Sequence, residues 1–194
     1  MLKSLKDIAP GDIILTRNDT FLSKAIRFFG RLQTGKADYS HAAAGLSNYM
    51  CIEALWRTRI NGLEKYEKTA LEIWRLPLNP LERGDFERGM MQVAGNDYGL
   101  AMIPLFALDS VATHIARVFG SKKPVFFFTE KFGVFNIPVC SQLVMFGIEK
   151  FTNYTIRDTA HNRVSWKLIS PDYLQDLLCL PHNQAELIYK QEAT

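Results

Sequence analysis

Two short apolar segments separated by a tight turn constrain the fold of this chain more than any other feature. Residues 39–46 and 49–56 have the length and apolar content of strands, and only Ser47-Asn48 lies between them. Strands joined by so few residues must pair antiparallel. Residues 70–76 are predicted as a further strand, which ends before a proline. The sequence therefore predicts an antiparallel sheet.

Other elements are predicted on either side of these strands. A strand at residues 13–17 follows a Pro-Gly turn, and a helix begins behind the candidate cap Asn18-Asp19-Thr20 and ends at Gly30. Residues 81–94 have the pattern of a second helix, which Gly95-Asn96-Asp97 interrupts. Together with the sheet, these elements predict an α+β fold.

The composition is that of a folded globular protein. Of 194 residues, 47% are hydrophobic and 22% are charged, and a chain of this length buries roughly 70% of the surface that it exposes when unfolded. The net charge of +3 is too small to indicate a nucleic acid or an anionic membrane as partner. We expect a single domain over residues 1–194, elaborated by an insert at about residues 99–135.

Three cysteines, Cys51, Cys140 and Cys179, bear on the compartment of the protein. Their number is odd, and their spacing is neither that of a disulfide framework nor that of a zinc site. A reducing compartment is therefore the default expectation. Residues 1–7 lack the uninterrupted apolar stretch of a signal peptide, so the cytoplasm is expected, with a bacterial or phage-associated origin left open.

Residues 99–135 are unusually apolar and contain the aromatic run Phe126-Phe127-Phe128. The longest uncharged part, residues 98–108, falls well short of the roughly 20 residues that a membrane-spanning helix needs. A helical hairpin that completes the core is the simplest interpretation, because apolar stripes usually face a core. The alternatives are a lid or wall of a substrate cleft, an interfacial helix that contacts a membrane surface, or a contact surface in an assembly.

Cys140 lies at the predicted start of a helix. After Pro138, apolar residues recur at helical spacing up to Phe151 and include Leu143 and Ile148. Unpaired backbone N–H groups and the positive end of the helix dipole favour a thiolate at this place, and the thiolate is the nucleophilic form of cysteine. Cys140 is therefore a candidate nucleophile. The alternative is a small buried residue that packs the start of the helix, the commoner role of an isolated cysteine.

A nucleophilic cysteine needs a base, and His41 stands out among four histidines. It lies in the predicted strand at residues 39–46 among small apolar residues, where an imidazole has little structural reason to be. Glu53, in the next strand, is a carboxylate among apolar neighbours. A hairpin around Ser47-Asn48 would pair residues whose numbers sum to about 95, which puts His41 and Glu53 on opposite faces of the sheet. A bulge or a longer turn is needed if the two side chains are to meet.

Six segments in a fixed order resemble a known enzyme family. They are Gly11 to Leu15, Ser40 to Ala42, Ile52 to Ala54, Tyr98, Cys140 to Val144 and Ser170 to Leu174. This set is similar to the circularly permuted, YiiX-like branch of the NlpC-type, papain-like cysteine hydrolases, in which the histidine strand precedes the cysteine helix. The resemblance covers about residues 8–178 and implies a papain-like α+β fold whose sheet packs against the helix that carries the nucleophile. The insert at about residues 99–135 departs from the family pattern.

The resemblance also implies a set of catalytic residues and a reaction. It assigns Cys140 as nucleophile, His41 as general base and Glu53 as the group that orients the imidazole, with Tyr98 at the border of the site. The implied activity is covalent acyl transfer on an amide or isopeptide bond, as in the peptides of bacterial cell walls, and it requires no metal or organic cofactor.

Two other functions stay open. A related permuted branch, typified by lecithin retinol acyltransferase, moves fatty acyl groups between lipids, and the apolar insert would serve such an enzyme by admitting acyl chains. A chain that keeps the fold without the activity would instead be a non-enzymatic component of a viral or secreted assembly. The expected substrate is a peptide or an acyl compound, with no nucleic acid as partner and no transmembrane segment.

Overall fold

The computed structural model describes residues 4–18, 20–34, 37–54, 57–95, 102–120, 140–159, 161–164 and 169–193. In chain order, its strands and helices are β1 (Ile13–Arg17), α1 (Phe21–Thr34), β2 (His41–Leu46), β3 (Met50–Ala54), β4 (Thr58–Gly62), β5 (Ala70–Arg75), α2 (Pro80–Val93), α3 (Met102–Val118), α4 (Cys140–Phe151), α5 (Pro171–Leu178) and β6 (Glu186–Gln191). Short 3-10 helices lie at Leu5–Asp7, Leu63–Tyr66 and Pro181–Asn183. The predicted α+β class is confirmed.

The strands of the described residues form one six-stranded antiparallel sheet, in the spatial order β4-β3-β2-β1-β5-β6. The strands predicted from the sequence correspond to β1, β2, β3 and β5. Both edge strands, β4 and β6, escaped prediction because several of their residues are polar, and apolar content alone does not reveal such strands.

The turn between β2 and β3 has three residues rather than two. Leu46 pairs with Met50, so Ser47, Asn48 and Tyr49 make the connection. Asn48 and Tyr49 have positive φ angles of 59° and 61°, the left-handed conformation that lets a short turn reverse the chain. Paired residue numbers consequently sum to 96, so the register predicted for a two-residue turn was wrong by one residue, and a longer turn is what the protein uses.

Both faces of the sheet are buried, and side chains alternate between them along each strand. Helices α2, α4 and α5 contribute to the larger core cluster, whose strand residues include Leu15, Ala42, Ala44 and Ile52. The 3-10 helices Leu63–Tyr66 and Leu5–Asp7 contribute to the second cluster, whose strand residues include Ile14, Ala43, Cys51 and Ile73. Strand β2 is buried along its whole length, which explains why it consists largely of small residues.

Helix α4 packs against β2, β3 and α2. The contact with α2 depends on Gly147, where an added Cβ atom would lie 2.4 Å from Met90 Sδ and 2.9 Å from the Phe86 ring. Helix α2 begins with a capping box, in which the Asn79 side chain accepts from the Glu82 N–H and the Glu82 side chain accepts from the Asn79 N–H. The contacts of α4 with α2, β2 and β3 hold this helix at the sheet.

Helices α1 and α3 pack against each other. Helix α1 continues to Thr34, past the end that the sequence predicted at Gly30. A glycine costs only about 1 kcal/mol inside a helix, a cost that packing against a neighbouring helix can offset. Helix α3 confirms helical structure for part of the insert. The run Phe126-Phe127-Phe128 lies outside the described residues.

Among the described helices, none combines the length and the apolar character that crossing a bilayer requires.

Candidate active site

His41 begins β2, and Glu53 lies one residue before the end of β3. In the observed register Ala43 faces Glu53, so His41, two residues before Ala43, projects from the same face as Glu53. His41 Nε2 lies 2.8 Å from Glu53 Oε2, and the two residues are only 8% and 1% exposed. The three-residue turn therefore brings together two side chains that a two-residue turn would have separated.

Three further side chains hold the Glu53 carboxylate. The Tyr66 hydroxyl donates to Oε2 at 2.7 Å, and Asn61 Nδ2 donates to Oε1 at 2.6 Å. Lys65 Nζ forms an ion pair with Oε1. Both carboxylate oxygens thus have partners besides His41, as a buried charge requires.

Sequence reasoning missed these three residues. Asn61 belongs to β4, a strand that the sequence did not predict. It pairs with Cys51 on β3, and because Cys51 is two residues from Glu53, the side chains of Asn61 and Glu53 project from the same face of the sheet. Lys65 and Tyr66 lie in the 3-10 helix that follows. Burial raises the pKa of Tyr66, so its hydroxyl stays protonated and remains a donor to Glu53. Knowing that β4 pairs with β3 would have been enough to place Asn61 beside Glu53.

Cys140 is the first residue of α4, and its thiol is buried. Burial opposes ionisation of the thiol, but the charge and the hydrogen bond of His41, with backbone N–H groups of Ala42 and Ser141, act in the other direction. The balance lowers the pKa of Cys140. His41 therefore interacts with both Cys140 and Glu53, and because Nε2 is directed to Glu53, Nδ1 is the nitrogen left for the thiol.

The other two cysteines lie in different surroundings. Cys51 is buried on the sheet, and burial raises the pKa of its thiol to about 11. Cys179 is exposed at the end of α5. Neither surrounding resembles that of Cys140, where an imidazole and two backbone N–H groups meet the sulfur.

Asp172, in the first turn of α5, binds the segment that leads into β2. Its Oδ1 accepts from the backbone N–H groups of Asp38 at 2.7 Å and Tyr39 at 3.0 Å. Its Oδ2 is buried and has no hydrogen-bond partner. Burial raises the pKa of Asp172 to about 6, against the lowering effect of the two backbone donors. The sequence placed this residue in a motif without indicating that it fixes the entry to the strand of His41.

A second contact holds the same segment from the other side. The hydroxyl of Ser40, the residue before His41, forms a buried hydrogen bond with the hydroxyl of Ser23 in α1. Ser23 also donates to the Asn18 carbonyl. The segment that leads to His41 is thus tied to α1 as well as to α5.

Comparisons with known proteins bear on the architecture. No protein-family model matches the chain, and no curated protein shows a significant match. Among solved structures, the crystal structure of the metalloprotein yiiX from Escherichia coli O157:H7 is similar, with a TM-score of 0.57 and 14% sequence identity over 95% of this chain and 98% of that chain. The fold is YiiX-like.

The YiiX-like fold confirms the resemblance inferred from the sequence at the level of architecture. At 14% identity, the similarity extends to the fold alone, so the chemistry of this chain must be argued from its own residues. Within the described residues, those are the contacts that join Cys140, His41 and Glu53.

Of the other residues considered, Tyr98 lies outside the described residues. The remaining histidines, His114, His161 and His182, are exposed, and the His182 ring contacts the Arg157 carbonyl at 3.1 Å. None of these three histidines lies in β2 or β3, the strands that contain His41 and Glu53.

A polar cavity of about 250 Å³ opens beside the segment that leads to His41. Its lining consists mostly of charged and polar side chains and includes Arg17, Asp38, Tyr39, Glu72, Gln175 and Lys190. Arg17 follows Thr16, the residue that pairs with His41 across the sheet. Glu72 is buried in the cavity wall, where it accepts from Trp74 and Gln175 and pairs with Lys190. The YiiX-like sheet thus carries this cavity at the end where β2 begins.

Proposed function

We propose that this protein is a cysteine hydrolase that works by covalent acyl transfer on an amide or isopeptide bond, with Cys140 as nucleophile, His41 as general base and Glu53 as the group that orients the imidazole. The observation that carries the proposal is that one buried imidazole contacts both a carboxylate and a thiol of lowered pKa. A nucleophile activated by a base, with the base oriented by a third group, is the recurring arrangement of such enzymes.

The reaction begins with transfer of the Cys140 thiol proton to His41 Nδ1. The thiolate attacks the carbonyl carbon of the substrate, and the negative charge moves to the carbonyl oxygen, which the backbone N–H of Cys140 at the start of α4 can stabilise with a second donor. Protonated His41 then gives its proton to the leaving nitrogen as the C–N bond breaks, which leaves a thioester on Cys140. Water, deprotonated by His41, attacks the thioester, and the acid product departs as the thiol regains its proton.

Glu53 acts on His41 and not on the substrate. Its Oε2 accepts from His41 Nε2, which fixes the tautomer and the orientation of the ring and stabilises the imidazolium form. The contacts from Asn61, Lys65 and Tyr66 keep this carboxylate in place.

The lining of the polar cavity does not include Cys140, His41 or Glu53, so the cavity does not identify the substrate. The choice of an amide, such as that of a cell-wall peptide, rests on the resemblance in the order of the sequence motifs. The order of the chain, with the histidine strand before the cysteine helix, supports placement in the circularly permuted NlpC-type branch as one papain-like domain with an insert at about residues 99–135.

The similar yiiX protein is described as a metalloprotein, which raises the question of a metal here. Within the described residues, no group of three or more His, Cys, Asp or Glu side chains is arranged to hold a metal ion. At the proposed site, Glu53 Oε1 already faces the ammonium group of Lys65, which would repel a divalent cation. These residues do not fit a metal centre, and the proposed steps use none.

The test is labelling and turnover. Cys140→Ala and His41→Ala should each lower the hydrolysis of peptide amides by about a thousandfold or more. Glu53→Gln should lower it less, because Glu53 acts on His41 and takes no part in bond formation or proton transfer with the substrate. Labelling by an electrophilic amide-like probe should require Cys140. Cys51→Ala and Cys179→Ala serve as matched controls and should label like the unchanged protein.

Three results would contradict the proposal. Full activity of His41→Ala would show that His41 is not the general base. Hydrolysis of phospholipid esters in preference to peptide amides, measured side by side, would favour the lipid-directed enzyme instead. A folded protein that neither labels at Cys140 nor turns over any of these substrates would favour the non-enzymatic component.

A further inference from the structure

From Leu108 onward, helix α3 buries polar side chains and exposes large apolar ones. Helices of globular proteins normally bury their apolar side chains and expose their polar ones. Here Asp109, Ser110 and Thr113 are buried. In the same part of the helix and at its end, five large apolar side chains are exposed: Leu108, Val111, Ile115, Val118 and Phe119.

The exposed apolar residues form one line along the helix. Leu108, Val111, Ile115 and Val118 are three, four and three residues apart, which places them on one face over about 15 Å. Val118 is 74% exposed and Phe119 85% exposed, so neither takes part in the core. Contiguous exposed apolar surface of this kind marks a contact site.

Helix α1, which packs against α3, adds positive charge. Its exposed residues Lys24, Phe28 and Arg31 are four and three residues apart and so share one face. Residues 20–34 and 102–120 together hold four Lys or Arg side chains and one carboxylate, that of the buried Asp109, a local net charge of +3. No acidic side chain is exposed in these two described ranges.

From this arrangement we propose that the pair formed by α1 and α3 binds the surface of an anionic lipid bilayer, with the α3 line inserted among the lipids and Lys24 and Arg31 against the headgroups. An exposed apolar face next to cations, on a helix that does not span, is the combination by which interfacial helices bind such membranes. The proposal goes beyond the hydrolase function and does not depend on it.

A second copy of this chain is the other occupant that the apolar line would suit. In a two-fold symmetric contact each copy presents the same patch, so the cations of α1 would approach the cations of the partner copy. An anionic bilayer instead offers negative headgroups above hydrocarbon, which matches both features of the surface. Charge complementarity therefore selects the lipid surface.

The experiment measures co-sedimentation of the full chain with vesicles of phosphatidylcholine, with and without phosphatidylglycerol. Binding should be strong only with phosphatidylglycerol and should weaken as salt rises from about 0.1 M to about 1 M, where charges are screened within about 3 Å. Ile115→Gln with Val118→Gln should reduce partitioning by about tenfold or more without a change of charge. Lys24→Gln with Arg31→Gln should reduce it by about fivefold for each cation.

Matched controls come from surfaces elsewhere on the protein. Leu81, 70% exposed on α2, is changed to Gln as the apolar control, and Lys68→Gln with Arg88→Gln removes two other exposed cations. These variants should bind vesicles like the unchanged protein, and melting temperatures should show that every variant is folded. Labelling of Cys140 by an amide-like probe, measured in parallel, reports on the hydrolase proposal separately.

Three outcomes would overturn the membrane proposal. One is absence of binding to phosphatidylglycerol vesicles by the unchanged protein. Another is equal loss of binding in the control variants. The third is a dimer in solution that Ile115→Gln with Val118→Gln converts to monomer, which would assign the surface to a second copy.

Discussion

At Cys140, burial and neighbouring groups act on the thiol in opposite directions. A buried thiol ordinarily resists ionisation, as Cys51 illustrates with a pKa raised to about 11. At Cys140 the charge and hydrogen bond of His41, with two backbone N–H groups, outweigh burial and lower the pKa. The pKa values of two buried cysteines in one protein are therefore shifted in opposite directions because of what faces the sulfur.

The pH dependence of alkylation should reveal this difference. A thiol of lowered pKa ionises at lower pH than a free cysteine, whose ordinary pKa is about 8.5, so the rate at which iodoacetamide modifies Cys140 should rise at lower pH than that of a free cysteine. In His41→Ala the profile should move to higher pH. Mass spectrometry after timed quenching locates the label, and Cys51 provides the internal control that should stay unmodified. A Cys140 profile that rises only above about pH 8.5 would show that the thiol is not activated.

Asp172 should make the stability of the fold depend on pH in a particular direction. Burial raises its pKa from the ordinary 3.8 to about 6 in the folded protein, so the folded state binds more protons than the unfolded state between these values. The contribution of Asp172 to the free energy of unfolding is therefore present below about pH 4 and is lost as pH rises through about 6. The loss amounts to about 3 kcal/mol.

The variant Asp172→Asn isolates this effect, because it keeps an oxygen for the Asp38 and Tyr39 N–H groups but cannot ionise. Between about pH 4 and about pH 7, the stability of Asp172→Asn relative to the unchanged protein should rise by about 3 kcal/mol. Urea unfolding at the two pH values measures it. A change of the opposite sign would mean that the two backbone donors dominate and lower the pKa of the carboxyl.

The contact between α2 and α4 shows how one element positions Cys140. Helix α4 can approach α2 closely because Gly147 has no side chain where Met90 and Phe86 pack. Cys140 lies two turns earlier on the same helix, so a shift of α4 away from α2 would also move the thiol relative to His41.

Gly147→Ala should therefore lower both stability and reactivity. The added methyl group overpacks the contact and should cost about 1–3 kcal/mol in the free energy of unfolding, measured by urea denaturation. Labelling of Cys140 should slow in the folded variant. The control is Gly84→Ala on α2, where an added Cβ atom lies 3.8 Å from Arg88 Nη1 and should stabilise the helix slightly. Equal stability of the two variants would show that the helices separate without cost.

Across the whole molecule, one buried carboxylate joins segments that are far apart in sequence. Asp12, before β1, is fully buried and accepts from Arg75 Nη2 at 2.6 Å and from Arg83 Nη1 at 3.2 Å. Its Oδ2 also accepts from the Ala9 N–H at 2.9 Å. Arg83 further donates to the Pro10 and Leu76 carbonyls. The Asp12 carboxylate therefore connects the N-terminal segment, the end of β5 and helix α2.

Removing that charge should destabilise the whole fold. Asp12→Ala leaves two guanidinium groups facing each other without a counter-charge, and loss of one partner from a buried ion pair costs about 3–5 kcal/mol. Thermal unfolding measures the loss. Arg88→Ala is the control, because its ion pair with Asp85 is exposed on α2 and should contribute less than about 1 kcal/mol. A small effect of Asp12→Ala would mean that solvent reaches the two arginines readily.

What the sequence determined by itself lies within single segments. Apolar spacing predicted the helix that begins at Cys140 and the strands that contain His41 and Glu53, because local periodicity reports on the face that an element buries. The same local pattern missed β4 and β6, whose edge positions tolerate polar residues.

The tertiary structure decided which of these segments meet and how. One additional turn residue, Tyr49 in the left-handed conformation, moves the pairing of β2 and β3 by one residue and so puts Glu53 on the face of His41. Asn61, Lys65 and Tyr66 join Glu53 only once β4 pairs with β3, and Asp172 reaches the entry to β2 from a helix more than a hundred residues later in the chain. Register and long-range contact depend on turn geometry and on packing between distant segments, and the side-chain pattern of a single segment does not record either.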